Sequence, residues 1–286
     1  MIHLHSLSVF AQDELTVKPD NKVKSKRSGK HSGDGKDLKE GVSENDDFVK
    51  EFNALLSYNF SGNAKGLEKL TPIIDYGWTT RLINRGKFSW DLAINPYVAG
   101  QIDITEKDSY MPGLMLPGSA GIKVNNYLTI KLYDAADKKE GRLTLSPLNF
   151  GYKIISNFAD TITSLAQHNF RPGIAFQHGD LFIIGAQYSL AWHNSTSASQ
   201  KGFEKVFERN STDLHYLTIS LQTKISSKDS DSDQKISAYL FAEWRGIVGD
   251  SRDRFEAFDN QRIITFGIRS TLNLENAFPS SRPFSN

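Results

Sequence analysis

From Phe88 to Ile104 apolar and polar residues take turns. The even positions carry Phe88, Trp90, Leu92, Ile94, Pro96, Val98, Gly100, Ile102 and Ile104, and the odd ones Ser89, Asp91, Ala93, Asn95, Tyr97, Ala99, Gln101 and Asp103. Successive side chains of a strand point to opposite faces, so the stretch predicts one long strand, apolar on one side and polar on the other. Soluble strands usually stop at roughly five or six residues. The same parity returns in Ile122, Val124, Leu128, Ile130 and Leu132, in Phe182, Ile184, Ala186, Tyr188, Leu190 and Trp192, and in Leu217, Ile219, Leu221 and Ile225. It returns again in Ile236, Leu240 and Trp244, and in Ile264, Phe266, Ile268 and Leu272. Weaker stretches are Phe52 to Phe60, Ile73 to Ile83, Leu143 to Ile154 and Phe170 to Gln177. In the third of these the parity slips at Ser146-Pro147, which reads as a bulge.

These segments number ten, with eight to twelve the range they allow, and their links alternate in length. Asn84 to Lys87, Ala135 to Gly141, His178 to Asp180 and Ser226 to Asp233 are short. Ser61 to Leu70, Thr105 to Ser119, Asn157 to Asn169, Asn194 to Thr212 and Gly249 to Gln261 are longer. An even strand count with short turns on one side and long loops on the other is the outer-membrane pattern. The expected fold is therefore all-β, an antiparallel up-and-down transmembrane β-barrel with both termini on the short-turn, periplasmic side.

A mean hydropathy of −0.43 does not oppose this, because such a barrel shows lipid only one face of each strand. No run of eighteen apolar residues exists to form a membrane-crossing helix. Cysteine is absent, which removes disulfides and thiolate chemistry. The net charge of +1 lacks the basic field that nucleic-acid binding needs. Residues 1–11 end in Val9-Phe10-Ala11, a small-residue cleavage pattern, and read as the remnant of a secretory signal peptide. Residues 12–50, dense in Lys, Asp, Glu, Ser and Gly, read as a disordered charged periplasmic tether. The barrel is expected over 51–274, with a polar C-terminal tail over 275–286.

Alternation alone does not say which face meets lipid. The polar parity carries Asp75, Arg81, Asp91, Lys123, Lys131, Arg171, Lys224, Lys235, Glu243, Arg245 and Arg269, mixed signs that suit a lumen in which charges pair. All four tryptophans lie on the apolar parity. Trp90 and Phe182 near the short turns, with Trp192 and Trp244 near the long loops, suit the two headgroup interfaces. A soluble lipocalin-like small-ligand carrier, with the apolar face turned inward, is the alternative. Over Phe52 to Leu274 the pattern is similar to that of small outer-membrane β-barrel proteins of the Bacteroidota type, without a signature motif. The resemblance implies a Gram-negative outer-membrane location and contact with membrane lipid and lipopolysaccharide.

His193-Asn194-Ser195 loosely resembles the His and Ser of an outer-membrane phospholipase, yet His193 has lumen parity where that chemistry needs the outer surface. Asp103, His193, Asp213 and Glu243 lie near the long-loop rim, where an omptin-like protease would gather a carboxylate and a histidine to activate water. No spacing among the histidines suggests a metal site, and no glycine motif suggests a nucleotide. No cofactor is expected. Ten strands lie near the size that side chains fill, and Tyr97, Tyr127, Tyr239 and Phe241 share the lumen parity. The expected role is structural, as an assembly partner of a periplasmic or outer-membrane protein, or porin-like with a narrow path. A rim hydrolase is the alternative.

Overall fold

The computed structural model describes residues 48–60, 70–100, 104–134, 140–179, 181–229, 235–258 and 260–273. Their strands are β1 (Phe48–Phe60), β2 (Leu70–Arg85), β3 (Phe88–Ala99), β4 (Ala120–Asp134), β5 (Glu140–Ser146) and β6 (Phe150–Phe158). The remainder are β7 (Ile162–Phe170), β8 (Gly173–His178), β9 (Phe182–Ser195), β10 (Ser211–Asp229), β11 (Lys235–Ile247) and β12 (Arg262–Asn273). Three short helices, α1 (Lys107–Met115), α2 (Gln200–Phe207) and α3 (Asp250–Arg254), follow β3, β9 and β11. The expected signal remnant and C-terminal tail lie outside the described residues, as does the tether before Phe48.

Antiparallel pairing runs from β1 round to β12, and β12 pairs back onto β1 from Glu51↔Asn273 to Phe60↔Ile264, so the sheet has no edge. The twelve strands make ten staves. The first half of β4 pairs with β6 and its second half with β5, while β9 pairs with β8 through its first half and β7 through its second. Thus β5 with β6 is one interrupted stave, and β7 with β8 another. The interruptions fall at Pro147 and Pro172, residues that bring no N–H to a ladder. Other groups fill the gap: the Asn126 amide donates to Asn149 Oδ1 (2.7 Å), the Arg171 amide to Asn149 O (2.8 Å) and the Tyr188 amide to Pro172 O (3.0 Å).

Three local expectations are corrected. The slip at Ser146-Pro147 is a full break and not a bulge. Asn157 to Asn169 is no long loop: Asn157, Ala159 and Asp160 adopt positive φ near 54°, the chain reverses tightly, and β7 begins at Ile162. The strand expected from Phe88 to Ile104 ends at Ala99. There Gly100 donates its amide to Pro72 O, and a Cβ on it would lie 2.7 Å from Pro72 Cδ. The chain leaves the wall at that point, and Ile104 turns inward to full burial.

The outer face is apolar across strand boundaries. Ile184 pairs across from Leu221, Leu240 from Ile268, Ile268 from Leu56, Ile74 from Val98 and Pro96 from Ile122. Leu221, Leu240, Ile268, Leu56, Val98 and Ile122 are all exposed. A belt of that extent far exceeds the apolar patches of soluble monomers and is what lipid covers. The inner face instead buries Asn59, Asp75, Thr79, Asp91, Lys123, Gln187, Glu243 and Arg269. The carrier reading, which needs an apolar interior, is the wrong way round. This is a transmembrane β-barrel of the bacterial outer membrane: closed, even in staves, with the short links, the start of β1 and the end of β12 on one side.

Two outcomes follow. On unheated gels the detergent-solubilised protein migrates apart from the boiled protein, and a chain that stays soluble and monomeric without detergent contradicts the barrel. Leu240→Lys, in the middle of the belt, lowers stability in lipid vesicles by about 2–4 kcal/mol, read from urea unfolding; an unchanged midpoint places Leu240 outside the hydrocarbon.

Candidate functional site

The barrel interior is divided into levels. At the long-loop end, α1 and the segment after it turn into the lumen, and every residue from Met111 to Gly118 is buried. Met111, Leu114, Met115 and Leu116 pack with Phe203 and Phe207 of α2, with Phe255, and with Phe158, Ile162, Leu165, Ile247 and Ile263 of the wall. Each fully buried side chain of this size contributes roughly 1.5–3 kcal/mol, enough to offset the ordering of about one or two residues of loop backbone. Gly118 lets the returning chain pass against the wall, since a Cβ there would meet Ile154 O at 2.1 Å. Burial lifts the Tyr110 phenol above the ordinary tyrosine range, and the nearby charge of Asp160 adds to the rise, so the phenol keeps its proton.

Polar contacts fix this plug to the wall. The last carbonyls of a helix have no partner within it and carry the negative end of its dipole. Here Lys153 Nζ donates to Leu114 O (2.9 Å) and to Leu116 O. Gln167 Nε2 donates to Leu114 O (3.3 Å), and Arg245 Nη1 to Met115 O (2.8 Å). Lys153 and Arg245 are about 1% exposed, and Arg245 is also paired with Glu243. Three staves, those of β6, β7 and β11, thereby grip one helix end, β7 with a neutral amide donor and β6 and β11 with charge-assisted bonds, which are roughly twice as strong as neutral ones.

Below the plug, Leu55, Ile73, Tyr97 and Phe241 form an apolar cluster inside the lumen, and Lys123 Nζ stands 4.9 Å from the centre of the Tyr97 ring. A polar relay beside it runs from the break between β7 and β8, past the β5–β6 stave, to β4, β3 and β2: Arg171 Nη2 to Asn125 Oδ1 (3.5 Å), Asn125 Nδ2 to Asn95 Oδ1 (3.3 Å) and Asn95 Nδ2 to Asp75 Oδ1 (3.4 Å). Side chains fill this level, as the stave number favours.

The short-turn mouth is different. A cavity of about 120 Å³ lies there among Arg81, Lys87, Ser89, Asp91, Tyr127, Thr129, Lys131, Glu140, Arg142 and Thr144. Arg81 Nε contacts Asp91 Oδ1 at 2.9 Å, Lys131 Nζ contacts Glu140 Oε1 at 3.0 Å, and Arg142 Nη2 contacts Glu140 Oε2 at 3.1 Å.

The residues singled out in the sequence fall as follows. Asp75, Asp91, Lys123, Arg171, Glu243, Arg245 and Arg269 are buried, while Arg81, Lys131 and Lys224 are half-buried. The side chain of Lys235 lies outside the described residues. Trp90, Phe182 and Trp244 are half-buried on the outward parity and Trp192 is exposed on it; Trp90 Nε1 donates to Asn126 Oδ1 (2.9 Å). Of the four weak catalytic candidates, the three described ones do not share a face or a partner. His193 is fully buried on the inner face, with Nδ1 3.3 Å from Thr212 O. Asp213, opposite Trp192 in the ladder, takes the other parity and is bound by Arg254 of α3. Glu243 is inside and paired with Arg245, and Asp103 lies outside the described residues. The outer face of the rim holds His168, whose ring packs 5.0 Å from Tyr152, and His215, bonded to Tyr188.

Lys153, Gln167, Glu140 and Arg142 escaped the sequence reading. Extending the parity of Leu143 and Leu145 back by one residue puts Arg142 inside. The apolar run from Met111 to Leu116, in a segment read as a loop, was the signal for the plug.

No protein-family model and no curated protein matches the chain. Among solved structures it is similar to outer membrane phospholipase A from Escherichia coli, at 9% identity over 79% of this chain and 90% of that one, with a TM-score of 0.32. It is similar also to Ail, the attachment invasion locus protein of Yersinia pestis, solved in complex with the heparin analogue sucrose octasulfate. That match has 10% identity over 79% of this chain and 97% of the other, with a TM-score of 0.25. Superpositions that loose leave the barrel assignment resting on this chain's own strand pairing.

Lys153→Met preserves the side chain's reach but removes one of the two donors to Leu114 O and the donor to Leu116 O. At about 1–3 kcal/mol for a buried group left unpaired, amide exchange over Met111 to Leu116 speeds up by about tenfold or more. Exchange in β1 and β12 stays as it was; a uniform acceleration instead marks global destabilisation.

Proposed function

We propose that this outer-membrane barrel is occluded: a lipid-embedded scaffold with a structural or assembly-partner role, closed toward the long-loop side and offering a polar cup on the periplasmic side. The observation that supports this reading is the grip of Lys153, Gln167 and Arg245 on the carbonyl end of α1. A plug held only by apolar packing has no preferred seat, whereas buried hydrogen bonds from three staves, two of them charge-assisted, define one. The apolar cluster of Leu55, Ile73, Tyr97 and Phe241 narrows the path again at mid-height. Membrane lipid on the outer belt is the partner this surface fits best, with lipopolysaccharide at the long-loop interface, where Trp192 and Trp244 stand on the outward parity.

The reading is tested in planar bilayers. The wild-type protein inserts without steady conductance. Lys153→Met combined with Arg245→Met frees α1 and produces ion-conducting openings. Steady conductance from the wild type makes the barrel a narrow pore, and silence from the double variant, once its insertion is verified, removes the grip as the cause of closure.

A further inference from the structure

We propose that the cavity at the short-turn mouth is a binding site for a small soluble phosphate-type oxyanion taken from the periplasmic side. The inference builds on the cup of the occluded barrel but does not depend on the plug. Among the described residues, Arg81, Lys87, Lys131 and Arg142 line the cavity against Asp91 and Glu140, so four positive charges face two negative ones, an excess of two. Such an excess in a recess walled by protein raises the local concentration of anions far more than the same charges on open surface.

The cations are also positioned. Asp91 fixes Arg81, and Glu140 fixes both Lys131 and Arg142. Arg142 and Glu140 are 11% and 15% exposed at the side chain, so their geometry does not fluctuate like that of a free surface pair. Fixed donors around a recess are what an oxyanion site requires, because the cost of ordering them is met on folding and not on binding. The hydroxyls of Thr129 and Thr144 are bonded to each other at 3.1 Å, which leaves one O–H as a neutral donor on the same wall. A cavity of about 120 Å³ has space for several waters, hence for one tetrahedral anion but no peptide. Its lining faces inward, away from the lipid belt, which favours a soluble anion over a phospholipid headgroup.

The test is calorimetric titration of the full-length protein, in non-ionic detergent, with inorganic phosphate at constant ionic strength. One saturable site is expected. Arg142→Gln weakens it by about tenfold or more. Lys87→Gln, on the exposed turn where folding is not at stake, weakens it by about two- to fivefold. Arg254→Gln, at the opposite end, leaves it unchanged. The absence of saturable binding overturns the proposal, and so does equal affinity in wild type and Lys87→Gln. Binding seen only in bicelles containing phosphatidylglycerol, with none to inorganic phosphate, assigns the cavity to a headgroup and overturns it as well. Conductance of the wild type bears on the plug alone, so a porous barrel that still binds phosphate separates the two readings.

Discussion

Inside a bilayer no water is available to satisfy a peptide group, so every backbone N–H and C=O at that depth must find a partner in the protein. The rest of this structure depends on that demand. It forces β12 back onto β1 and leaves no edge. It also explains what happens at Pro147 and Pro172, where two neighbouring staves lose their regular ladder at one level. The wall is kept closed by the Asn149 side chain, which accepts the Asn126 amide, and by the carbonyls of Asn149 and Pro172, which accept from Arg171 and Tyr188. Arg171 then turns its guanidinium into the lumen, where it donates to Phe150 O at 3.3 Å as well as to Asn125. A break in secondary structure thereby becomes the anchor of an internal polar relay.

The interior answers the same demand with charge. Burying an ion without a partner is expensive, and the lumen brings its ions together in sets: Arg81 with Asp91, Lys131 and Arg142 with Glu140, Arg245 with Glu243. Arg245 has a second task, which it shares with Lys153, since the carbonyl end of α1 offers partial negative charge that needs cationic donors as much as they need it. Loop and wall are complementary, and the plug's place follows from electrostatics together with packing.

Much of the wall was legible in the sequence because lipid imposes a strict rule, apolar at every second position, and β3, β4, β9, β10 and β12 obey it. Reading failed where the rule lapses. In β7 the outward residues are Ser164, Ala166 and His168, near the rim where the outer face need not be apolar, so no alternation marks the strand. Around Pro147 the parity restarts, which hid Lys153. Glu140 sat in the stretch from Ala135 to Gly141 taken for a turn, and Arg142 fell between that turn and the strand expected from Leu143. The plug was illegible for another reason: Leu114 and Met115 satisfy no period, and their partners Arg245 and Gln167 are distant in sequence. His193 shows the limit of parity in the other direction, since its inward orientation was readable while its lack of a catalytic neighbour was not.

The bond between Arg245 and Met115 O joins residues 130 apart in the chain, whereas those from Lys153 and Gln167 to Leu114 O span 39 and 53 residues. The seat of α1 is therefore shared between the middle of the chain and its last hairpin. A chain without that hairpin holds the helix by two staves and lacks the third, so the full seat of the plug exists only in the closed wall.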